Sequence, residues 1–455
     1  MQCPAIYWLN DDILLYIFNC YRLDDEYHWN NRLGWCKLSH ICQRWRYLIY
    51  ERTFHLGMRI ECTNGSPIVD TLDHLPSLPL FISYWSNAIL TEQDELGIYH
   101  ALLLPSRVHH IELVLWPSIL RRVVVLMDEH FPILERLSLS FAGENSTPLT
   151  LSSKAFLAPN LRHLNLIGIR LPKRLWLLTS TTSLVTLHLS NIQTSSYFRP
   201  RLLVARLRSL PQLRELTIGF STPMPRPSTE RELLGDQGAP VTLPSMKTLR
   251  FQGVGAYLES LVAQIRAPLL ERLWIMLFNQ IVFTLPHLSH LINTTETFKP
   301  PSVAVGFDYN NVYITTAHHT SRWFDGAPFF LGVMCKQLDW QIYCAAQICN
   351  ALIPTPSGIE KFTLEGSYDF RIPTAFENGA IDGTTWHELL RLFTGVKELY
   401  IDNGLLWELS HALQVDEVGS DPGFLPNLRS IRARRNLFTS FIDARRVVGR
   451  PVEYS

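Results

Sequence analysis

Charge is scarce in this chain and balanced in sign. Asp, Glu, Lys and Arg make up 18% of the residues, against roughly 25% in ordinary soluble domains, and 41 Lys and Arg stand against 41 Asp and Glu. No net field draws in nucleic acid or an anionic membrane surface, so neither is an expected partner. No apolar run reaches the ~18 residues of a membrane helix; Val123-Val124-Val125-Leu126-Met127 is bounded by Arg121, Arg122 and Asp128. Residues 1–18 lack a basic leader, and Asp11 and Asp12 interrupt the apolar stretch that a signal peptide requires. An intracellular protein, cytoplasmic or nuclear, is expected. Eight cysteines over this length are too few for a secreted disulfide framework, and neither Cys36/Cys42 nor Cys335/Cys344/Cys349 has zinc-ribbon spacing. They are expected to be reduced and mostly buried.

Catalytic signatures are missing as well. The Rossmann glycine pattern, the P-loop, the Gly-x-Ser-x-Gly elbow and His-Glu-x-x-His are all absent, so no catalytic residue and no cofactor is assigned, and a non-catalytic protein is expected. His287 and His290, and the pairs His109-His110 and His318-His319, have no Cys or carboxylate at ligand spacing, so no metal site is assigned. Asn64-Gly65-Ser66, Asn145-Ser146-Thr147 and Asn293-Thr294-Thr295 match the glycosylation sequon, which has no meaning without secretion.

What the chain does contain is apolar residues, 47% of its 455 positions. That length exceeds the ~250–300 residues of a single core, so either several domains or a repeat array is expected. Near the N-terminus, Asn10 stands as an N-cap before Asp11 and Asp12, which favour the positive end of a helix dipole. Leu9, Ile13 and Ile17 recur every four residues with Leu14 and Phe18 beside them, an apolar face too broad for a lone helix. Its expected partner is a second helix over 35–49, in which Trp35, Leu38, Ile41/Cys42, Trp45 and Leu48/Ile49 repeat at helical spacing, after a polar connector from Asp24 to Arg32.

Leu9-Asn10-Asp11-Asp12-Ile13-Leu14 with Ile17-Phe18, followed by Leu38-Ser39-His40-Ile41-Cys42-Gln43-Arg44-Trp45-Arg46, resembles the F-box motif over about the first 50 residues. The resemblance implies a small helical module, residues 1–55, that docks on a Skp-type adaptor and through it on a cullin–RING ubiquitin ligase. Leu9, Ile13, Ile17, Phe18, Ile41, Cys42 and Trp45 would form its core and adaptor-facing surface. Two features depart from the family pattern: Asn10 stands where a Pro is usual, and the connector from Cys20 to Leu33 is longer than in most members.

Beyond residue 55 one phrase returns: a Leu-like residue, two variable residues, a second Leu-like residue, one variable, and a third. It appears as Leu134/Leu137/Leu139, Leu161/Leu164/Leu166, Leu184/Leu187/Leu189, Leu213/Leu216/Ile218, Met246/Leu249/Phe251, Leu270/Leu273/Ile275 and Val396/Leu399/Ile401. Leu428/Ile431/Ala433 is a worn copy, and Val108/Ile111/Leu113 and Ile359/Phe362/Leu364 are weaker ones. First positions from Leu134 to Leu270 lie 27, 23, 29, 33 and 24 residues apart, near the ~20–29 of leucine-rich repeats. Pro before several copies, as in Phe131-Pro132 and Leu243-Pro244, ends the preceding helix and sets an extended backbone. The expected fold is therefore α/β: a short all-α N-terminal module followed, over 56–455, by a leucine-rich-repeat solenoid of horseshoe form, similar to the divergent repeats that follow an F-box in fungal proteins. Between Leu277 and Ile359 the phrase fades; Val303–Phe307 and Val312–Ile314 around Tyr309-Asn310-Asn311 read as degenerate repeats with longer strands. Ser221–Ser228, rich in Pro, reads as a surface insertion.

The function implied is a substrate-recognition subunit of an SCF-type (Skp–cullin–F-box) ligase, with an unknown protein substrate held on the repeats; the alternative is a repeat scaffold without a ligase. With the leucines inward, the intervening residues are expected to line the concave face. Early units offer Ser138/Ser140, His163/Asn165 and Thr186/His188/Ser190, whereas later ones offer Arg250, Arg272, Trp274, Tyr400, Asp402, Arg432 and Arg434. Aromatics and Arg dominate binding hot spots, so the later set is the expected substrate site. Arg429, Arg432, Arg434 and Arg435, with Arg445, Arg446 and Arg450, would also suit an acidic or phosphorylated segment.

Overall fold

The computed structural model describes residues 8–26, 36–51, 59–63, 72, 78–85, 90–141, 149–151, 156–170, 177–193, 197–221, 240–278, 283–299, 301–316, 327–335, 338–353, 356–366, 383–413, 425–434 and 437–455. Two compact units emerge, Met1–Leu187 and His188–Ser455. The boundary expected near residue 55 and the Pro-rich stretch beyond Ser221 lie outside the described residues.

The first unit opens with helices α1 (Asp11–Glu26), α2 (Cys36–Ser39) and α3 (Gln43–Glu51). Both helical expectations need correction. α1 continues through Cys20–Glu26, taking up half of what reads as connector. The single helix expected over 35–49 is two: the backbone turns at His40 and Ile41, bonded back to Lys37 and Leu38, and Cys42 Sγ accepts from Trp45 N at 3.5 Å, so the chain restarts at α3. Strands β1 (Ile60–Glu61), β2 (Leu80–Tyr84), β3 (Val108–Leu115), β4 (Arg136–Phe141) and β5 (His163–Ile167) then pair in chain order, all parallel. Ile111, Leu137 and Leu164 share one register and Leu113, Leu139 and Leu166 another, and all six are buried. Each repeat phrase is thus a strand whose leucines stack on those of its neighbours, which is how a unit unable to cover its own apolar face becomes stable.

Strand β6 (Thr186–Ile192) carries the boundary between the units. In the second unit, β7 (Glu215–Phe220), β8 (Thr248–Gly253) and β9 (Arg272–Phe278) continue the parallel pattern with helices α4 (Gly255–Val262) and α5 (Pro286–Thr294) between and after them. Pro286 starts α5, and the buried carboxylate of Glu259 accepts from the main-chain N–H groups of His287 and Leu288, satisfying two donors the helix cannot.

The segment expected to hold degenerate repeats is instead an antiparallel meander: β10 (Ser302–Asp308), β11 (Asn311–Thr315) and β12 (Phe329–Met334). The hairpin read around Tyr309-Asn310 is present, but the meander folds back so that β12 lies beside β9 and β10 beside β13 (Lys361–Gly366). The unit's order is β7-β8-β9-β12-β11-β10-β13-β14-β15-β16, with β14 (Glu398–Ile401), β15 (Ser430–Arg432) and β16 (Glu453–Tyr454); only β11 runs against the rest. Helix α6 (Leu338–Leu352) returns the chain across β10 and β11. No helix among the described residues is long and apolar enough to cross a membrane. Of the described cysteines, Cys62, Cys344 and Cys349 are buried, Cys42 and Cys335 half-buried and Cys20 exposed; the side chains of Cys3 and Cys36 lie outside the description.

Helix α7 (Leu406–Ala412) buries Glu408, whose Oε2 has no hydrogen-bond partner among the described residues. Burial pushes this carboxyl above the usual glutamate range. The folded state therefore prefers the protonated form, and stability present below the ordinary glutamate pKa is lost as pH rises through the raised value. Glu408→Gln should remove that loss: the fall in melting temperature between pH about 4.5 and about 7 should be smaller in the variant. An unchanged difference would show that Glu408 does not titrate differently on folding.

Candidate protein-binding surfaces

The helical module has a core and a separate exposed apolar face. Asn10 Oδ1 accepts from Ile13 N at 2.8 Å, the N-cap expected from the sequence. Arg44 on α3 donates to Leu9 O at 2.7 Å and to Asp11 Oδ1 at 2.6 Å, tying the start of α1 to α3. An exposed ion pair contributes at most about 1 kcal/mol, so the tie sets orientation more than stability. Stability comes from Leu14, Phe18, Leu38, Trp45, Leu48 and Ile49, all buried, with Phe18 and Trp45 edge to face at 4.8 Å. Of the seven residues selected from sequence, Phe18 and Trp45 are thus core, and Leu9 and Cys42 are half-buried. Ile13, Ile17 and Ile41 stand 46%, 38% and 58% exposed, alongside the exposed rings of Tyr16 and Tyr47. Large apolar side chains exposed on so small a module make these residues a candidate interaction surface.

The outward face of the first unit is a polar ladder. Asn165 Nδ2 donates to Ser138 Oγ at 3.0 Å, and His163 Nδ1 lies 3.1 Å from Thr186 Oγ1. At its start the sequence reading missed an aromatic cluster: Phe81 stacks on His109 and His110, centroids 5.2 and 5.3 Å away, and the Arg59 guanidinium sits 4.9 Å from the Phe81 ring centre. A bulge between Leu80 and Phe81 places both histidines on this face. Burial, outweighing the nearby Glu112 carboxylate, lowers the pKa of His110.

In the second unit the selected residues fall into two groups rather than one. Arg250 and Trp274 are register partners, with exposed Arg272 two residues before Trp274 on the same face. Tyr400 and Arg432 are register partners, and Arg432 Nη2 lies 3.9 Å from Glu398. Asp402 is half-buried, and its Oδ1 accepts from Asn403 N at 2.7 Å, a capping role. The meander and β13 separate the groups: β9 and β14 are five strand steps apart, about 24 Å at ~4.8 Å per step. Arg434 is exposed; Arg435 lies outside the described residues. Arg445 does not belong to a basic surface, because it is buried and its Nη2 donates to Leu425 O and Pro426 O.

Between the groups lies an aromatic block that the sequence reading also missed. Trp274 stacks on Phe330 at 5.3 Å and 6°, and Phe330 on Tyr313 at 5.6 Å and 22°. The Tyr313 hydroxyl donates to Glu365 Oε2 at 3.1 Å across β10, which is possible because Gly306 lies beneath the ring. Burial and the Glu365 carboxylate raise the phenol's pKa, so it stays a neutral donor. Phe330 and Thr315 are buried, so the accessible surface is the Arg272/Trp274 group on one side and the Tyr400/Arg432 group on the other. Glycines inside strands, at Gly306 and Gly332, were the available signal for this close packing.

No family model matches the chain, and no curated protein does. Solved structures to which it is similar include a TLR13–ssRNA13 complex, at 12% identity over 82% of this chain and 46% of that one, with a TM-score of 0.29. LegL7, a leucine-rich repeat-containing protein of Legionella pneumophila, matches at 13% identity over 85% of this chain and 97% of its own, with a TM-score of 0.25. The chain spans about half the length of the TLR13 chain. Similarity at this level carries no argument about partners. The repeats are leucine-rich repeats by their own geometry, one phrase per parallel strand with its leucines inward.

Proposed function

We propose that the chain is a non-catalytic substrate-recognition subunit of an SCF-type ubiquitin ligase, docking a Skp-type adaptor through the helical module and a protein substrate through the repeats. The observation that carries this reading is the module's division of labour: Phe18 and Trp45 hold it together while Ile13, Ile17 and Ile41 stand in solvent. A module needing only its own fold has no use for three exposed isoleucines. The substrate side rests on the Arg272/Trp274 and Tyr400/Arg432 groups, which offer the residue types that anchor protein interfaces. Acting as a tether, such a subunit raises the effective concentration of a substrate lysine near the ubiquitin-loaded enzyme.

The test is co-purification of adaptor and cullin with the full chain from its native cell, compared with Ile13→Asp/Ile17→Asp. Both positions are exposed, so folding should change by about 0.5 kcal/mol or less per site, while adaptor capture should fall at least ~10-fold, equivalent to ~1.4 kcal/mol. Arg272→Glu/Trp274→Ala and Tyr400→Ala/Arg432→Glu should leave adaptor capture intact and lose the remaining co-purifying proteins. Failure of the wild-type chain to retain any adaptor would leave the second reading, a protein-binding repeat scaffold without a ligase, which the same two groups support.

A further inference from the structure

Two thiols that the sequence leaves without a role meet at the end of the meander. Cys335 follows directly on β12, and its N–H donates at 2.7 Å to Asn310 O, in the turn between β10 and β11. Cys344 stands on α6, three residues after Gln341. Gln341 Nε2 donates to Cys335 O at 2.7 Å and to Asp308 O at 2.8 Å, which seats the start of α6 on the end of β12 and on the same hairpin. Residues three apart on a helix share a face. Cys344 accordingly reaches the same place as Gln341, and its thiol is hydrogen-bonded to that of Cys335.

The two thiols are not equivalent. Cys335 is half-buried, whereas Cys344 is 2% exposed. The hydrogen bond to Cys335, and then burial, hold the Cys344 thiol well above the usual cysteine range. Attack on an oxidant requires an accessible thiolate, so reaction begins at Cys335. Once the Cys335 sulfur carries a substituent, the hydrogen bond that held the Cys344 proton is gone, and the second sulfur stands beside the first. Among the other described cysteines, Cys62 and Cys349 are buried, and Cys20 and Cys42 belong to the helical module.

We propose that Cys335 and Cys344 are a reversible oxidation site: a low-molecular-weight disulfide such as oxidised glutathione converts them, in the folded chain, to an intrachain disulfide that fastens the start of α6 to the end of β12. Cys335, having given its proton to solvent, attacks one sulfur of the oxidant. The oxidant's S–S bond breaks, and one glutathione leaves as thiolate and takes up a proton. Cys344 then attacks Cys335 Sγ, its own proton passing to the second departing glutathione. Two protein thiols are oxidised and one disulfide is reduced to two thiols, so electrons and protons balance. Strand β12 also carries Phe330, on which Trp274 stacks, so the bond fixes the strand that supports this outward-facing ring. The site is independent of the ligase reading and stands or falls on its own measurement.

The experiment equilibrates the full chain with oxidised and reduced glutathione, blocks the remaining thiols and maps the unreduced tryptic peptides by mass. Trypsin cuts between the two cysteines at Lys336, so the bond joins two peptides, and fragmentation distinguishes Cys344 from Cys349 on the second. The expected result is a joined Cys335–Cys344 pair that separates on reduction, with amide exchange in the N-terminal half of α6 slowed at least ~10-fold in the oxidised chain. Cys335→Ser should form no such bond and keep the same exchange in both buffers. Cys344→Ala should instead collect glutathione on Cys335, and Cys344→Val, closer in volume, takes its place should that variant fail to fold. A wild-type chain that holds only a glutathione adduct at Cys335, pairs other cysteines instead, joins these two only in urea, or forms the bond without slower exchange in α6 would overturn the assignment.

Discussion

Trp45→Ala is expected to unfold the helical module and abolish adaptor capture. The indole is buried against Phe18 at 4.8 Å, with Leu14, Leu48 and Ile49 completing the same small core. Truncating a buried Trp costs about 3–5 kcal/mol, at the lower end of the whole stability of an ordinary domain, ~5–15 kcal/mol, and this module is only a fraction of one. The loss should appear as faster amide exchange in α1 and α3 with the strands from β3 onward unchanged. Trp45→Phe keeps an aromatic edge for Phe18 and should retain most of the protection. This pattern differs from that of Ile13→Asp/Ile17→Asp, which should abolish capture with exchange unaltered. If Trp45→Ala preserved both exchange protection and capture, neither the core nor the role assigned to the module could stand.

The difference between these two variants also shows what was legible in the sequence. Helical spacing identified an apolar face containing Leu14, Phe18, Ile13 and Ile17, but periodicity alone does not say which stripe packs on α3 and which meets solvent. The repeats were more legible, because a strand has two faces and the phrase marks one of them: Leu137, Leu164, Leu216, Leu249, Leu273 and Leu399 are all buried where the pattern puts them. β1 and β2 escaped notice because the first is two residues long and the second precedes any clear phrase. The candidate site was legible as a set of residues and not as an arrangement. Arg272, Trp274, Tyr400 and Arg432 face outward as the alternation requires, yet the order β9-β12-β11-β10-β13 inserts the meander between them. Tyr313 and Glu365 are 52 residues apart in the chain and meet only because of that reversal.

Gly306→Val should destabilise the second unit by dislodging Tyr313, and the effect should depend on that ring. Gly306 is the register partner of Tyr313 on one side and Glu365 on the other. A Cβ at this position would fall 1.9 Å from Tyr313 Cζ, far inside van der Waals contact, so the ring must swing away. It then gives up its hydrogen bond to Glu365 and its stacking on Phe330, on which Trp274 rests. Overpacking of this kind costs about 1–3 kcal/mol, and loss of a hydrogen bond to a charged group adds about 1.5–3 kcal/mol. Tyr313→Phe removes only the second contribution and should cost correspondingly less. Tyr313→Ala removes the ring that collides, so Gly306→Val made in that background should be milder than in the wild type, a coupling of ~1 kcal/mol or more between residues in contact. Urea unfolding of the four chains measures it. Because Trp274 loses its support when the block shifts, Gly306→Val should also weaken substrate capture while adaptor capture continues unaffected. Strictly additive costs for Gly306→Val and Tyr313→Ala would mean that the ring is not what the glycine accommodates, and the aromatic block would lose its claim to set the geometry of the face.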